Sequence, residues 1–150
     1  MSIEIDTCDP RSPIGMALIE ESSNDQIMRY GRDGGLVLEK LASAESVFAV
    51  AKLDGQPAGC GAVVFHAPEV GELSRIFVTA SARRNGVASA ILGWLERDVR
   101  GRYQRLVLET GTKQPESIKL YEAHGYTSIE PWGDGEPNPL VRCYEKWLND

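Results

Sequence analysis

The sequence predicts an α+β fold in which a mixed, mostly antiparallel central sheet is flanked by helices. Two observations support this prediction. Asp54-Gly55 stands between two apolar runs, which is the strongest short-range signal for a β-hairpin. Farther along, a strand that ends at Val78 is followed by a loop, a helix and another strand, and such a crossover makes the two strands parallel. A hairpin and a parallel pair in one sheet make the sheet mixed.

The N-terminal segment carries one strand signal and then helix signals. Residues 2–7 alternate apolar and polar side chains, as expected for a first strand with one buried face. Pro13 marks the start of one or two helices that extend to about Tyr30, and residues 22–25 could interrupt them. Residues 31–35 are predicted to form a loop.

Three antiparallel strands and the crossover helix follow. The strands are predicted at 47–53, 57–65 and 69–78. The helix is predicted at 86–100 because its apolar residues recur at helical spacing. Gly101 is expected to end this helix as a C′ glycine.

The C-terminal segment is predicted to complete the sheet. The strand at 104–110 is expected to lie parallel to 71–78. Gln114-Pro115 opens a further helix, and Gly125 closes it. The last two strands are predicted at 126–130 and 140–147, and residues 131–139 connect them.

Length and composition limit the possible functions. The chain has 150 residues, 42% of them apolar, so one domain over residues 1–150 is expected. A net charge of −6 argues against nucleic acid or an anionic membrane as partner, because both need clustered positive charge. No signal peptide or membrane span is recognisable. Cys8, Cys60 and Cys143 show no metal or redox spacing, so we expect reduced thiols, no metal and a cytoplasmic location.

The connection between the strand at 71–78 and the helix at 86–100 predicts an anion site. Gly86 stands where a backbone can approach a ligand closely, and Arg83 and Arg84 precede the helix. A helix N-terminus offers unpaired N–H donors and a partial positive charge, which suit a phosphate or pyrophosphate. A surface turn with two solvated arginines is the alternative interpretation. The spacing fits neither a Rossmann fingerprint nor a P-loop.

The segment from Val78 to Ala88 resembles the acyl-CoA pyrophosphate motif of the GCN5-related N-acetyltransferases (GNAT). That motif reads Gln/Arg-x-x-Gly-x-Gly/Ala after a strand that ends in Val, and Arg83, Gly86 and Ala88 fill its three fixed positions. The resemblance implies a GNAT fold with a splayed pair of parallel strands.

The next helix strengthens this resemblance. Residues 114–126 are similar to the family pattern Asn-x-x-Ala-x-x-x-Tyr-x-x-x-Gly-Phe, with Gln114 in place of Asn and Ser117 in place of Ala. The resemblance extends from about Val47 to Tyr126. Two motifs at the expected separation make it specific.

The resemblance implies acetyl-CoA as cosubstrate and a set of residues that bind it. The pantetheine arm is expected to follow the strand at Ile76 to Val78, and the pyrophosphate is expected at residues 83–89. The implied cofactor-binding residues are Ile76, Phe77, Val78, Arg83, Arg84, Asn85, Gly86, Val87, Ala88, Ser89, Gln114, Ser117 and Tyr121.

Acetylation of an amine needs a base for the amine, an oxyanion donor and an acid for the departing thiolate. The resemblance implies Tyr121 as the acid, because it fills the family's tyrosine position. Helical spacing places it on one face with Ser117, and a phenol with a pKa of about 10 suits a thiolate leaving group. A packed tyrosine with a satisfied hydroxyl is the structural alternative.

The predicted general base is Glu72. Period-two alternation is expected to place it on one strand face with Ser74, Ile76 and Val78. Glu109 and a water chain are competing candidates, and an exposed carboxylate or a partner for Arg75 is the structural alternative. The two histidines, His66 and His124, are assigned no role.

The predicted function is transfer of an acetyl group from acetyl-CoA to the primary amine of a small molecule, directly in a ternary complex. The alternatives are acetylation of protein lysines or N-termini, and a non-catalytic acyl-CoA-binding regulatory module. The acidic composition slightly favours a small amine. Family members often form dimers, so a homodimer is a further expectation.

Overall fold

The computed structural model describes residues 2–31, 38–132 and 138–148. Seven strands lie in these ranges: β1 (Ile3–Thr7), β2 (Val47–Leu53), β3 (Gln56–Ala67), β4 (Val70–Val78), β5 (Arg105–Gly111), β6 (Thr127–Ile129) and β7 (Val141–Trp147). The helices in the same ranges are α1 (Pro13–Tyr30), α2 (Leu38–Leu41), α3 (Val87–Val99) and α4 (Pro115–Ala123), and a short 3₁₀ turn (Ala80–Ala82) precedes α3.

All seven strands form one sheet in the order β1-β2-β3-β4-β5-β7-β6. Neighbouring strands are antiparallel except β4 and β5, which are parallel. The parallel ladder is short and ends at the pair Glu72 and Val107, although β4 continues to Val78 and β5 to Gly111. The predicted fold class, a mixed sheet with a splayed parallel pair, is confirmed.

The turn conformations agree with two of the turn signals in the sequence and differ from a third. Asp54 and Gly55 have φ values of 51° and 85°, which is the pattern of the type I′ hairpin that Asp-Gly favours. Gly125 follows α4 with φ 88°, as predicted. Gly101 follows the end of α3 but does not adopt the left-handed conformation that a C′ glycine usually takes.

The N-terminal helices differ from the prediction in two ways. Helix α1 is continuous, because Ser22 is buried within it rather than breaking it. Helix α2 was not predicted, and its Leu41 packs on the same face of the sheet as α1. The predicted loop at 31–35 and the connection at 131–139 lie largely outside the described residues.

Each face of the sheet has its own core. On one face, α3 and α4 cover a cluster that includes Ile91, Leu95 and Leu108. On the other face, α1 and α2 cover a second cluster around Leu18 and Phe77. We call these the α3 face and the α1 face.

Several features that would suggest other functions are missing from the described ranges. No helix there combines the length and the apolar character that a membrane crossing needs. No group of three or more His, Cys, Asp and Glu side chains there could hold a metal ion. Cys8, Cys60 and Cys143 are free thiols, and burial raises the pKa of Cys60 to about 12. Cys60 is therefore a packed, protonated thiol at neutral pH.

Replacing Ile91 with Ala should test how closely α3 packs against the sheet. Ile91 is fully buried, and a Cβ added at Gly61 of β3 would lie only 2.8 Å from its Cγ2, so helix and sheet are in close contact. We expect Ile91→Ala to lower the free energy of unfolding by about 3 kcal/mol, because it leaves a cavity. Urea unfolding measures the change. Met28→Ala, at a side chain that is 87% exposed, is the control and should have little effect; equal losses in both variants would contradict this packing.

Candidate active site

A cleft of about 420 Å³ opens where β4 and β5 part. Its walls come from α1, β4, β5, α4 and the segment that leads into β7. The predicted residues that line it are Glu72, Ile76, Phe77, Glu109, Gln114, Ser117 and Tyr121. Glu72 reaches the cleft from the α1 face and Tyr121 from the α3 face, so the cleft connects the two faces of the sheet.

A β-bulge at Arg75 changes which side chains of β4 share a face. Ser74 pairs with Ala62 and Phe77 with Cys60, so two residues of β4 lie opposite Gly61. Arg75 has a φ of 56°, in the left-handed region that non-glycine residues rarely occupy. Its guanidinium lies 3.3 Å from the hydroxyl of Ser22 on α1.

The predicted common face of Glu72, Ile76 and Val78 is therefore wrong. Ile76 and Val78 pack on the α3 face, whereas Glu72 pairs with Val64, whose side chain belongs to the α1 face. Regular alternation would have kept the three residues together, but the extra residue at the bulge inverts the pattern. The Glu72 carboxylate and the side chains of Ile76 and Val78 therefore lie on opposite sides of the cleft.

The edge of β4 beyond Glu72 has no strand partner on the β5 side within the described residues. The backbone groups of residues 73–78 that point to this edge are therefore available to an extended ligand, as in the addition of a strand, except the Val78 carbonyl, which accepts from Arg83. Just past the strand, the Thr79 hydroxyl is buried without a hydrogen-bond partner in the part of the chain that the structure describes. An orphaned buried hydroxyl at this point fits a ligand with polar groups.

The N-terminus of α3 is open to an anion. Gly86 is its N-cap, with φ 77°, and no side chain caps the first turn. Asn85 holds the preceding loop, since its amide donates to the carbonyls of Ala82 (3.0 Å) and Arg83 (3.1 Å). The first N–H groups of α3 are thus free to bind phosphate oxygens.

The two arginines of the loop are placed differently. The Arg83 guanidinium donates to the Val78 carbonyl at 3.3 Å and lies 3.7 Å from the Asp25 carboxylate on α1. Arg84 is exposed, with φ 68°, and makes no ion pair or side-chain hydrogen bond within the described ranges. Arg83 therefore braces the loop against α1, and Arg84 is the more available cation.

Tyr121 is buried, yet its hydroxyl has no hydrogen-bond partner among the described residues and lines the cleft. Its ring packs edge-on against Tyr126, with ring centroids 5.7 Å apart. Burial raises the pKa of the Tyr121 phenol well above its ordinary value, so the hydroxyl stays protonated at neutral pH. The alternative of a packed tyrosine with a satisfied hydroxyl would need a hydrogen-bond partner that the described residues do not supply.

Comparison with known proteins identifies the family to which this fold belongs. The model of the family described as "Acetyltransferase (GNAT) family" matches residues 13–126. The chain belongs to the GNAT family. GNAT enzymes use acetyl-CoA, so the prediction of an acetyl-CoA-dependent N-acetyltransferase is confirmed at the level of the family.

Individual relatives show the same likeness. The chain is 35% identical over 115 residues, 75% of each chain, to a protein of Azospirillum brasilense named IAA acetyltransferase. It is 34% identical over 146 residues, 93% of this chain and 94% of the other, to the Bacillus subtilis (strain 168) protein named "Uncharacterized N-acetyltransferase YsnE". The fold resembles that of an acyl-CoA N-acyltransferase from Klebsiella pneumoniae, with a TM-score of 0.80, 25% identity and 98% of both chains covered. It also resembles a GNAT acetyltransferase from Elizabethkingia anophelis with acetyl-CoA bound, with a TM-score of 0.73, 17% identity and 97% coverage of both.

Tyr126, which follows α4 in this GNAT chain, anchors α3. The Tyr126 hydroxyl donates to one oxygen of the buried Glu96 carboxylate at 2.8 Å, and the Lys146 ammonium lies 2.9 Å from the other oxygen. Burial and the Glu96 charge raise the pKa of Tyr126. This network fixes α3 to β7 and to the end of α4, and through the Tyr126 ring it also positions Tyr121.

Two carboxylates, Glu72 and Glu109, lie on the α1 face of the GNAT cleft. Glu72 is 3.7 Å from the His66 imidazole and 4.0 Å from the Lys40 ammonium. Partial burial, and then the charge of Glu72, raise the pKa of Glu109, and His66 lowers it. His66, which the sequence left without a role, therefore belongs to this cluster together with Trp132, whose ring it contacts edge-on.

The end of α1 closes one side of the cleft through contacts with α4 and with the segment before it. Arg29 pairs with Asp25 at 3.1 Å and with Glu116 of α4 at 2.8 Å, and it donates to the Lys113 carbonyl at 2.9 Å. Because Lys113 lies 84 positions away along the chain, no local pattern could predict this contact. We call the Arg29 contacts, with those of Tyr30, the α1 clamp.

Tyr30 completes the α1 clamp. Its hydroxyl donates to Gln114 Oε1 at 3.3 Å and accepts from the Lys113 N–H at 3.1 Å. A Cβ at Gly111, the last residue of β5, would overlap the Tyr30 phenol, so a side chain there would displace Tyr30. Gln114, predicted to bind the cofactor, is thus also tied to α1.

His124 is the second feature that the sequence did not assign. Its Nε2 lies 2.7 Å from the Ser89 hydroxyl in the first turn of α3. The contact joins the end of α4 to the open N-terminus of α3.

The raised pKa of Glu109 should be visible in the pH dependence of stability. The folded chain holds the Glu109 proton more tightly than the unfolded chain, so this stabilisation is present below the unfolded pKa of about 4.3 and is lost as the pH rises through the folded pKa. We therefore expect Glu109→Gln to raise the melting temperature relative to the native chain at pH 8, and the difference to shrink toward pH 4. Glu4→Gln, at an exposed strand position, should show no such trend. A difference independent of pH would contradict the raised pKa.

Proposed function

We propose that this chain transfers the acetyl group of acetyl-CoA to the primary amine of a small cationic molecule. The observation that supports this most directly is the juxtaposition in one cleft of two carboxylates on the α1 face and a protonated, unpartnered phenol on the α3 face. When bound, acetyl-CoA supplies a thioester, which is an activated acyl group.

The coenzyme would lie on the α3 side of the cleft. The free edge of β4 at Ile76 to Val78 would bind the pantetheine arm by backbone hydrogen bonds. The uncapped N–H groups of Val87, Ala88 and Ser89 would bind the pyrophosphate, with the support of the helix dipole. Gln114 and Ser117 line the cleft between these two segments.

The acceptor would enter from the α1 side. An amine is mostly protonated at neutral pH and must lose a proton before it can attack a thioester. We assign that proton to Glu72, with Glu109 as its neighbour and competitor. Their negative charge also favours a cationic acceptor over a neutral one, because opposite charges attract in a partly desolvated cleft.

Tyr121 would donate a proton to the departing sulfur. Its raised pKa keeps it protonated, and its unpartnered hydroxyl lines the cleft at the junction of the two sides. The Tyr126 ring holds it in place. A non-catalytic acyl-CoA-binding module would have no need for carboxylates and a phenol in one cleft.

The volume of the cleft supports a small acceptor. About 420 Å³ is within the range of small-molecule sites. The α1 clamp closes the cleft beside α4, which leaves less room for a protein segment. Acetylation of a protein lysine or N-terminus is the second candidate for the acceptor.

The function can be tested by thiol release with acetyl-CoA and a panel of amines. We expect release of CoA with at least one small di- or polyamine or amino-acid amine, and weaker release with lysine-containing peptides. Gly86→Glu is the control, because it places a negative charge and a side chain in a left-handed position at the phosphate seat. Acetyl-CoA should raise the melting temperature of the native chain and not that of the variant. No thermal shift at millimolar acetyl-CoA would refute the proposal.

Tyr121→Phe tests the acid. Removing only the hydroxyl should lower kcat by about 10²-fold and leave CoA affinity unchanged, because general acid catalysis contributes on this scale. Steady-state kinetics and calorimetric titration of CoA measure the two effects. Tyr103→Phe is the matched control, since that buried tyrosine donates to the Glu45 carbonyl away from the cleft. Unchanged turnover in Tyr121→Phe would remove Tyr121 from this role.

Glu72→Gln tests the base. The pH profile of kcat/KM should lose or shift its acid limb, because the limb reports the group that must be deprotonated. Glu109→Gln is measured in parallel, and Glu4→Gln serves as the strand control. If the acid limb moves in Glu109→Gln and not in Glu72→Gln, Glu109 is the base.

A further inference from the structure

We propose that His124, with Ser89, binds a phosphate group of the coenzyme and makes coenzyme affinity depend on pH. This inference rests on the coenzyme site proposed above. It assigns a role to His124, which lies 35 positions from Ser89 in the sequence. The sequence motif assigned no role to this histidine.

The geometry brings two helix ends together at this point. Ser89 is exposed in the first turn of α3, where the N–H groups have no side-chain cap. His124 is the C-cap of α4, and its own N–H donates to the carbonyls of Leu120 and Tyr121 at 3.1 Å. The dipole at the start of α3 favours an anion beside the Ser89 hydroxyl, and the His124 ring contacts the same hydroxyl.

Because Ser89 and His124 are hydrogen-bonded, protonation of the imidazole would have two effects. When Nε2 of the neutral ring carries no proton, the Ser89 hydroxyl must donate to it at 2.7 Å and is not free to donate elsewhere. When the ring is an imidazolium, Nε2–H donates to the Ser89 oxygen, so the hydroxyl proton can point to a phosphate oxygen. Protonation therefore adds a positive charge and releases a donor at the same place.

The other charged groups described near His124 already have partners. Lys146 of β7 approaches the neighbouring Gly125, but its ammonium pairs with Glu96 of α3. Glu122, on α4, accepts a hydrogen bond from the Tyr144 hydroxyl at 3.3 Å. His124 is thus the titratable group at this helix junction whose side chain contacts the first turn of α3.

Calorimetric titration of CoA into the native chain and into His124→Gln, at pH 6 and pH 8, tests the inference. Glutamine keeps a hydrogen-bonding side chain and removes the charge. We expect the Kd of the variant to exceed that of the native chain by about tenfold at pH 6, the scale of one charge-assisted hydrogen bond, and by about twofold or less at pH 8. Comparing the two chains at each pH cancels the titration of the coenzyme's own phosphate. Equal affinities, or a loss of the same size at both pH values, would overturn the inference.

Further arms of the titration identify the phosphate and control for the fold. If the effect of His124→Gln persists with 3′-dephospho-CoA, the pyrophosphate is the group bound; if it disappears, the 3′-phosphate is. Glu4→Gln, at an exposed position of β1 that does not line the cleft, should bind CoA as the native chain does. Ser89→Ala should reduce the pH dependence in the same direction and replaces His124→Gln should the latter not fold. If the native chain itself bound no CoA, the coenzyme site would be wrong, whereas normal native binding with an unaffected His124→Gln would overturn the role of His124 alone.

Discussion

The separation of β4 from β5 is the constraint on which the rest of the site depends. Where β4 and β5 are still paired, Gly71 has no room for a side chain, because a Cβ there would lie 2.7 Å from Val63 and 2.8 Å from Tyr103. This close packing holds the strands together over three register pairs, and beyond Glu72 they diverge. A strand edge in the middle of a sheet would ordinarily be paired, since unpaired backbone groups are costly when buried. Here the open edge is what provides a binding surface through the centre of the domain.

The bulge at Arg75 divides the chemistry of that cleft between its two sides. A left-handed non-glycine residue costs of order 1–3 kcal/mol, and it persists because the surroundings hold it. The Arg75 side chain lies against Ser22 and Ser23 of α1, and the strand on both sides of the bulge is paired with β3. The result is a strand whose first half presents the Glu72 carboxylate to the α1 face and whose second half presents Ile76 and Val78 to the α3 face.

Local signals in the sequence predicted the elements that local physics determines. Asp54-Gly55 predicted its turn, and the Arg-x-x-Gly-x-Ala segment predicted an uncapped helix start. The family resemblance singled out Tyr121, helical spacing placed it on one face with Ser117, and both residues line the cleft. The bulge at Arg75 was missed because period-two alternation assumes an uninterrupted ladder, and nothing in residues 72–78 announces an extra residue. Non-local contacts were missed for a different reason. The α1 clamp and the pair of Ser89 and His124 join segments 35 or more positions apart, and each partner taken alone looks like an ordinary surface residue.

The α1 clamp belongs to both halves of the cleft. Tyr30 lines the cleft on the α1 side, while its hydroxyl holds Gln114 at the start of the helix that carries Tyr121. An amine that pushed the last turn of α1 outward would therefore pull on the helix that contacts the coenzyme. Occupancy of one half of the cleft should change the affinity of the other half for its ligand. The two substrates would therefore bind with a thermodynamic coupling rather than independently.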